Sequence, residues 1–129
     1  MERDLKIEFL NRIGQIIYDK KGSNILALDV RGVSTITDYV VIAEGDVDKH
    51  VIGIAKAILS GLEEYGETPH HIEGLTEGGW VVLDFLDFMI HLFVPPLREK
   101  YQLEELWRES EILDLSLHTG SLVAISNKP

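Results

Sequence analysis

Apolar residues recur at steps of three and four in two long stretches of this chain, which is the spacing of an amphipathic helix. The first stretch covers about residues 4–20 and the second about residues 46–65. A third helical segment is predicted at 97–107, because Pro95 and Pro96 can begin a helix but cannot lie inside a sheet ladder. The apolar positions that define the two long helices are Phe9, Leu10, Ile13, Ile16 and Ile17, then Val51, Ile54, Ala55, Ile58, Leu62 and Tyr65.

Shorter apolar runs rich in β-branched and aromatic residues predict five strands. Their ranges are 25–30, 39–43, 71–73, 80–85 and 88–94, and the second of them is typical of a strand buried on both faces. The order α-β-β-α-β-β-β-α predicts a mixed α/β fold, with helices packed on a single sheet. Residues 1–110 are assigned to this domain, and the loosely alternating residues 111–129 to a C-terminal extension docked on it.

Charge changes this picture by indicating a class of partner. The chain has a formal net charge of −10 at pH 7, which argues against sequence-independent binding of nucleic acid. Between Lys56 and Arg98, 41 residues pass without a Lys or Arg, and two carboxylates of that stretch fall at the turn between the last two strands. An acidic surface that is not neutralised nearby favours a basic partner. The seven carboxylates of the stretch are Glu63, Glu64, Glu67, Glu73, Glu77, Asp84 and Asp87.

Composition also excludes several kinds of site. The absence of cysteine rules out disulfides, thiolate zinc sites and cysteine nucleophiles. The five histidines lack the spacing of a metal-binding helix, and adjacent His70 and His71 would point to opposite faces of a strand, so we expect no metal or other cofactor. The charged N-terminus is unlike a signal peptide, and no apolar run has the length of a membrane span. We therefore expect a cytoplasmic protein that binds no membrane.

Asp46 and Asp48 allow two interpretations. Two aspartates separated by an apolar residue can hold magnesium on one strand face, as nucleotidyltransferases do. Here, however, they follow Gly45 and precede the apolar stripe of the second helix, where aspartates commonly cap the helix start. No phosphate-binding Gly-Ser turn and no Gly-rich loop lies upstream. Helix capping is the favoured interpretation, and a nucleotidyltransferase-like enzyme is the alternative.

The aromatic residues of the second half could serve the core or an interface. Trp80 follows two glycines at the beginning of a strand, where one face tends to stay accessible. Trp and Tyr are the residues most used as interface anchors. For Trp80 and Tyr101 both roles remain open, whereas Phe85 and Trp107 favour the core.

Several segments, taken in order, carry a resemblance to a known family. They are Ala27-Leu28-Asp29-Val30, Ser34-Thr35-Ile36-Thr37-Asp38-Tyr39-Val40-Val41-Ile42-Ala43, Gly45, His50-Val51, Ile54-Ala55, Glu73-Gly74, Trp80-Val81-Val82-Leu83-Asp84-Phe85, Asp87, Ile90-His91-Leu92-Phe93, Arg98-Glu99-Lys100-Tyr101 and Leu103-Glu104-Glu105-Leu106-Trp107. Over about residues 5–108, this ordered set resembles the ribosomal silencing factor family, also called the Iojap-like proteins.

The resemblance implies a nucleotidyltransferase-like fold without catalytic machinery. It implies a non-enzymatic factor that binds the universal large-subunit ribosomal protein numbered fourteen at the intersubunit face. Binding there would block subunit joining and repress translation. The remaining alternative is a scaffold in which the acidic, aromatic sheet only forms a homodimer. A homodimer of the free protein is also compatible with the silencing-factor interpretation. The expected partner-binding residues are Trp80, Asp84, Asp87, His91, Arg98 and Tyr101, with Glu73 and Trp107.

The chain departs from the family pattern at three places. Leu86 stands where the family usually has glycine, which would cost on the order of 1 kcal/mol if that position needs a positive φ. Glu44-Gly45-Asp46-Val47 replaces the usual Thr-Gly and its small hydroxyl residues. No counterpart is found for the residues after Trp107.

Overall fold

The computed structural model describes residues 2–119, with side chains from Lys6 onward. Over that range the predicted order of helices and strands is confirmed, and a 3-10 helix and a sixth strand follow the last α-helix. The elements are α1 (Glu2–Asp19), β1 (Ser23–Asp29), β2 (Tyr39–Glu44), α2 (Asp48–Glu63), β3 (His71–Glu73), β4 (Trp80–Asp84), β5 (Phe88–Phe93), α3 (Pro95–Tyr101), the 3-10 helix (Leu103–Trp107) and β6 (Glu111–Leu113).

All of these strands join one sheet, in the order β3-β4-β5-β2-β1-β6. β2 lies parallel to β5, and the other neighbouring pairs are antiparallel. Residues 39–43 of central β2 are at most 1% exposed, which confirms that this strand is buried on both faces. The mixed α/β architecture on a single sheet is therefore confirmed.

α1 and α2 cover one face of the sheet, called here the helix face. The apolar stripe predicted for α2 is confirmed as far as Leu62, and each such side chain contributes about 1.5–3 kcal/mol when it is buried. Tyr65 differs, because it lies beyond the end of α2, is 56% exposed and meets Phe9 edge-on at 5.9 Å between ring centroids. The core of this face includes Leu10, Ile13, Ile17, Val41, Ile54, Ile58, Leu83, Ile90 and Leu92.

The opposite face of the sheet is only half covered by the described elements. α3 and the 3-10 helix place Leu97, Leu103 and Trp107 against the side chains of β1, β2 and the end of β5. On β4 only Trp80 packs against this second core, and no residue of β3 or of the beginning of β5 belongs to it. The second, smaller core on this side contains Leu28, Val30, Val40, Ile42 and Phe93.

The residues that follow the predicted boundary at 110 lie on the domain. β6 pairs antiparallel with β1, with Leu113 opposite Ala27. Beyond it, the backbone of Ser116 and His118 is held by side chains of α1, through Asn11 and Gln15 at 2.6–2.9 Å. A domain boundary at 110 stays a prediction, and the apolar positions predicted at 122, 123 and 125 fall outside the described residues.

The start of α2 differs from the prediction. Val47 occupies the N-cap position, and no side chain caps the helix there. The backbone N–H of Asp46 donates to Nδ1 of His50 at 2.8 Å, so the imidazole proton lies on Nε2, which donates to the carbonyl of Lys20 at 2.7 Å. Capping by a side chain of Asp46 or Asp48 is therefore wrong, whereas the placement of Asp48 in the first turn of the helix is confirmed. His50 instead holds this loop and ties it to the end of α1.

Candidate functional site

The less covered half of the second face is formed by β3, β4 and the beginning of β5, with Trp80 and the buried His91 at its border with the helical cover. Because successive strand residues alternate between faces, Val81 and Leu83 enter the core of the helix face while their neighbours point the other way. Strand register then aligns Glu73 with Val82 and His91, and Asp84 with Met89. We call this surface the open sheet face, and its members are Glu73, Trp80, Val82, Asp84, Met89 and His91.

An aromatic stack lies at the border between the open sheet face and its helical cover. The ring of Trp80 stacks on Phe93 at 4.8 Å and meets Tyr101 at 5.0 Å between centroids. The indole Nε1 also donates to Nδ1 of His91 at 3.1 Å. Trp80 is half-buried and Tyr101 is 48% exposed, so Trp80 serves core and surface together while Tyr101 offers mainly surface. Trp107, also half-buried, approaches His91 at 6.1 Å from the other side.

His91 lies at the centre of this arrangement as a neutral group. Burial lowers its pKa to about 4, although the nearby charge of Asp84 acts in the opposite direction. Because Nδ1 accepts the indole hydrogen bond, the ring proton lies on Nε2. His91 therefore offers a hydrogen-bond donor without a positive charge.

The turn between β4 and β5 carries the two predicted carboxylates. Asp84 Oδ1 accepts the backbone N–H of Leu86 at 2.8 Å, and Phe85 and Phe88 close the two-residue loop through a 2.9 Å backbone hydrogen bond. Leu86 has a φ of 74° and is 56% exposed. The first central position of the loop therefore has the positive φ that suits glycine, although leucine occupies it here.

The acidic edge beside this turn is partly neutralised from elsewhere in the chain. Lys6 of α1 reaches Asp38 at 3.3 Å and Asp87 at 3.5 Å. Burial alone would lower the pKa of Lys6, but the hydrogen bonds and charges of the two aspartates outweigh it and raise that pKa. On β3, Glu73 receives a 2.7 Å contact from His71. The Asp87 and Glu73 side chains remain 62% and 67% exposed, so a partner can still reach them.

Arg98 of α3 makes several contacts within the chain. Its side chain is only 11% exposed and contacts Glu44 at 3.2 Å and Glu104 at 3.3 Å. Its Nη1 also donates to the backbone carbonyl of Asn24. Arg98 therefore joins α3 to the 3-10 helix and to the ends of β1 and β2. It positions the helical cover, and its predicted contact with a partner stays a prediction.

An apolar groove beside the open sheet face was missed by the sequence reasoning. It has a volume of about 440 Å³ and runs between the loop 33–37 and the 3-10 helix, with His91 and Met89 of β5 in its lining. Ile36 is 75% exposed and Leu106 is 68% exposed. The sequence signal was an isoleucine within a run of hydroxyl residues and a leucine beside Trp107. We call this feature the Ile36–Leu106 groove.

No group of three or more His, Asp or Glu side chains among the described residues is arranged to hold a metal ion. Asp46 and Asp48 lie in the exposed loop after β2 and in the first turn of α2, and the Asp46 side chain is 84% exposed. Within the same part of the chain, no helix is long and apolar enough to cross a membrane. The open sheet face and the groove beside it combine aromatic, apolar and acidic side chains.

The α/β fold of this chain is shared by known proteins. The chain belongs to the family described as ribosomal silencing factor during starvation, whose model matches residues 4–126. It is 39% identical over 97 residues to ribosomal silencing factor RsfS of Bacillus subtilis, covering 75% of this chain and 82% of that protein. A crystal structure of a Chromobacterium violaceum protein superposes with a TM-score of 0.76 at 25% identity, covering 88% of this chain and 94% of that one.

More distant similarity extends to organelle proteins. The mouse protein named mitochondrial assembly of ribosomal large subunit protein 1 is 27% identical over 101 residues, which cover 76% of this chain and 44% of that protein. The family match also reaches beyond Trp107 into the extension. Residues after Trp107, for which the sequence suggested no counterpart, therefore lie largely within the family.

Proposed function

We propose that this protein binds the large ribosomal subunit through the open sheet face, prevents its joining to the small subunit and so represses translation. The observation that carries the proposal is an uncovered sheet surface that combines an aromatic stack with exposed carboxylates. The family description and the name of the mouse relative support a ribosomal target of this kind. The partner on the subunit is the basic universal protein numbered fourteen, and the protein acts in the cytoplasm.

The chemistry of the surface explains how binding works without catalysis. Trp80 and Tyr101 supply apolar contact area at small entropic cost, because their rings are already packed together. Asp84, Asp87 and Glu73 surround them and pair with Lys or Arg of the partner. Neutral His91 adds a hydrogen-bond donor. The protein acts by occupying a surface that the small subunit needs, and no bond is made or broken.

Sedimentation of purified subunits tests this proposal. Large and small subunits are mixed at a magnesium concentration that favours joining, with and without saturating protein, and separated in a gradient. We expect joined ribosomes to decrease and the protein to co-sediment with large subunits. An undiminished peak of joined ribosomes at saturating protein would refute the proposal.

Two tyrosines provide a matched test of the surface itself. Tyr101, 48% exposed, lies beside the open sheet face, whereas Tyr65, 56% exposed, lies beyond α2 beside Phe9 of α1. Tyr101→Ala should weaken binding to large subunits by about tenfold or more, because interface aromatics commonly carry that much affinity. Tyr65→Ala should leave binding unchanged. Equal effects of the two substitutions would show that the open sheet face is not the contact surface.

A further inference from the structure

We infer that the Ile36–Leu106 groove receives an extended segment of the same basic partner, with an apolar side chain seated in the groove and Lys or Arg beside it. The inference rests on the proposed function and extends its contact surface. Met89 and His91 belong both to the open sheet face and to the groove lining, so the two surfaces are continuous along β5. A partner lying on the open sheet face therefore reaches the mouth of the groove without leaving the protein surface.

The exposure of the groove's apolar side chains is the first argument for an occupant. Single exposed apolar residues are common on proteins, but several around one concavity mark a binding surface. Ile36 is 75% exposed, Leu106 is 68% exposed and Val33 is 44% exposed, and all three line the groove. The volume of about 440 Å³ lies within the range of roughly 300–1,000 Å³ typical of ligand pockets. It accommodates a few side chains of an extended segment.

The second argument is the hydrogen-bonding state of His91. The side chain is 6% exposed and lines the groove, and its Nδ1 is occupied by the indole of Trp80. Its Nε2–H is therefore the free donor of the ring, since no described residue accepts from it within hydrogen-bond distance. Because Nε2 is not among the buried polar atoms of the described residues that lack a partner, it meets water in the groove, and an acceptor of a bound segment can replace that water. A backbone carbonyl of an extended segment supplies such an acceptor, while the adjacent side chain packs on Met89.

The negative charge of this protein favours a basic partner in the groove over a second copy of the same chain. Asp38 follows the groove residue Thr37 and Glu105 precedes the groove residue Leu106 in the sequence. Both side chains stay partly exposed, at 42% and 62%, although Lys6 and Arg108 lie 3.3 Å and 3.7 Å from them. The protein as a whole carries a formal net charge of −10, and two copies meeting at this surface would repel each other. The described end of the chain lies away from the groove. The backbone carbonyl of Thr119 accepts a hydrogen bond from the hydroxyl of Tyr18, and the helix α1 that carries Tyr18 packs on the other face of the sheet.

The experiment compares groove variants with a matched control. Ile36→Ser and Leu106→Ser are combined, and Ile112→Ser serves as control, since Ile112 is also 68% exposed but lies on edge strand β6. Dissociation constants for purified large subunits are measured for the full-length proteins. We expect an increase of about tenfold or more for the double variant and no change for the control. Melting temperatures within about 2 °C of the original protein show that all variants are folded.

Three other outcomes overturn the inference. If the original protein binds large subunits and the double variant binds equally well, the groove has no part in docking, while the proposed function stands. If the original protein does not bind large subunits, both ideas fall together. Light scattering tests the remaining occupant. A dimer of the original protein that becomes monomeric in the double variant would assign the groove to a second copy.

Discussion

Leu86 provides a sharp test of the backbone at the candidate site. It occupies the first central position of the two-residue loop between β4 and β5 with a φ of 74°. Glycine adopts this conformation freely, whereas a residue with a Cβ does so at the expense of stability. The substitution Leu86→Gly should relieve this strain without altering Asp84 and Asp87, the two carboxylates nearest to it in the sequence.

The magnitude follows from two opposing terms. Relief of the left-handed conformation contributes about 1–2 kcal/mol in favour of glycine. The larger freedom of glycine in the unfolded chain offsets about 0.5–1 kcal/mol of that. Leu86→Ala is the reference for Leu86→Gly, because it keeps the Cβ but has also lost the other contacts of the leucine side chain. Leu86→Gly should therefore be more stable than Leu86→Ala by about 0.5–1 kcal/mol.

Urea denaturation measures this difference through tryptophan fluorescence, because Trp80 and Trp107 are both packed in the folded protein. A second pair of variants gives the opposite sign as a control. Leu106 lies in the 3-10 helix at an ordinary negative φ, so Leu106→Gly should be less stable than Leu106→Ala. If glycine at position 86 is no more stable than alanine, while the pair at position 106 behaves as expected, the loop is not strained at Leu86 and the reasoning is refuted.

Three further predictions concern polar groups around the sheet. Arg98→Ala should lower the free energy of unfolding by about 3 kcal/mol, because Glu44 is left largely buried without its cation. Urea titrations measure the loss, with Lys100→Ala at an exposed position as the control. Because the pKa of His91 is lowered from 6.5 to about 4, the unfolded chain takes up the proton first, and stability falls as pH drops through that window. Going from pH 7 to pH 5 should cost about 2 kcal/mol more in the original protein than in His91→Gln. Asp46→Ala should leave the melting temperature nearly unchanged, whereas a loss above about 1 kcal/mol would restore the capping role.

Much of the fold could be predicted because apolar spacing is a local property of the sequence. The stripe of α2 and the doubly buried β2 followed directly from it. Strand order did not, because pairing depends on contacts between residues far apart in the chain. The parallel pairing of β2 with β5, across α2 and two strands, is such a case. The pairing of β6 with β1 is another, since three residues carry too little pattern to identify a strand.

The sequence indicated which residue types the candidate site would contain, but not which contacts each of them makes within the fold. Sequence reasoning identified Trp80 and Tyr101 as interface candidates, and the structure leaves both partly accessible. It could not place Arg98, because a basic residue beside an acidic stretch looks the same whether it faces a partner or an internal carboxylate. Its partner Glu44 lies 54 residues away in the sequence. Likewise, the exposure of Ile36 depends on a loop conformation that local patterns do not specify.

The position of the helical cover explains why half of the sheet stays open. Leu97, Leu103 and Trp107 bury apolar surface over β1 and β2, and the hydrophobic effect alone would also favour sliding this cover toward β4. The clamp formed by Arg98 with Glu44 and Glu104 opposes such movement, since displacement would leave largely buried charges unpaired. A polar clamp of this kind specifies a position more than it adds stability. It keeps Trp80 and the Ile36–Leu106 groove accessible, and the closing apolar contact is then left for a partner to make.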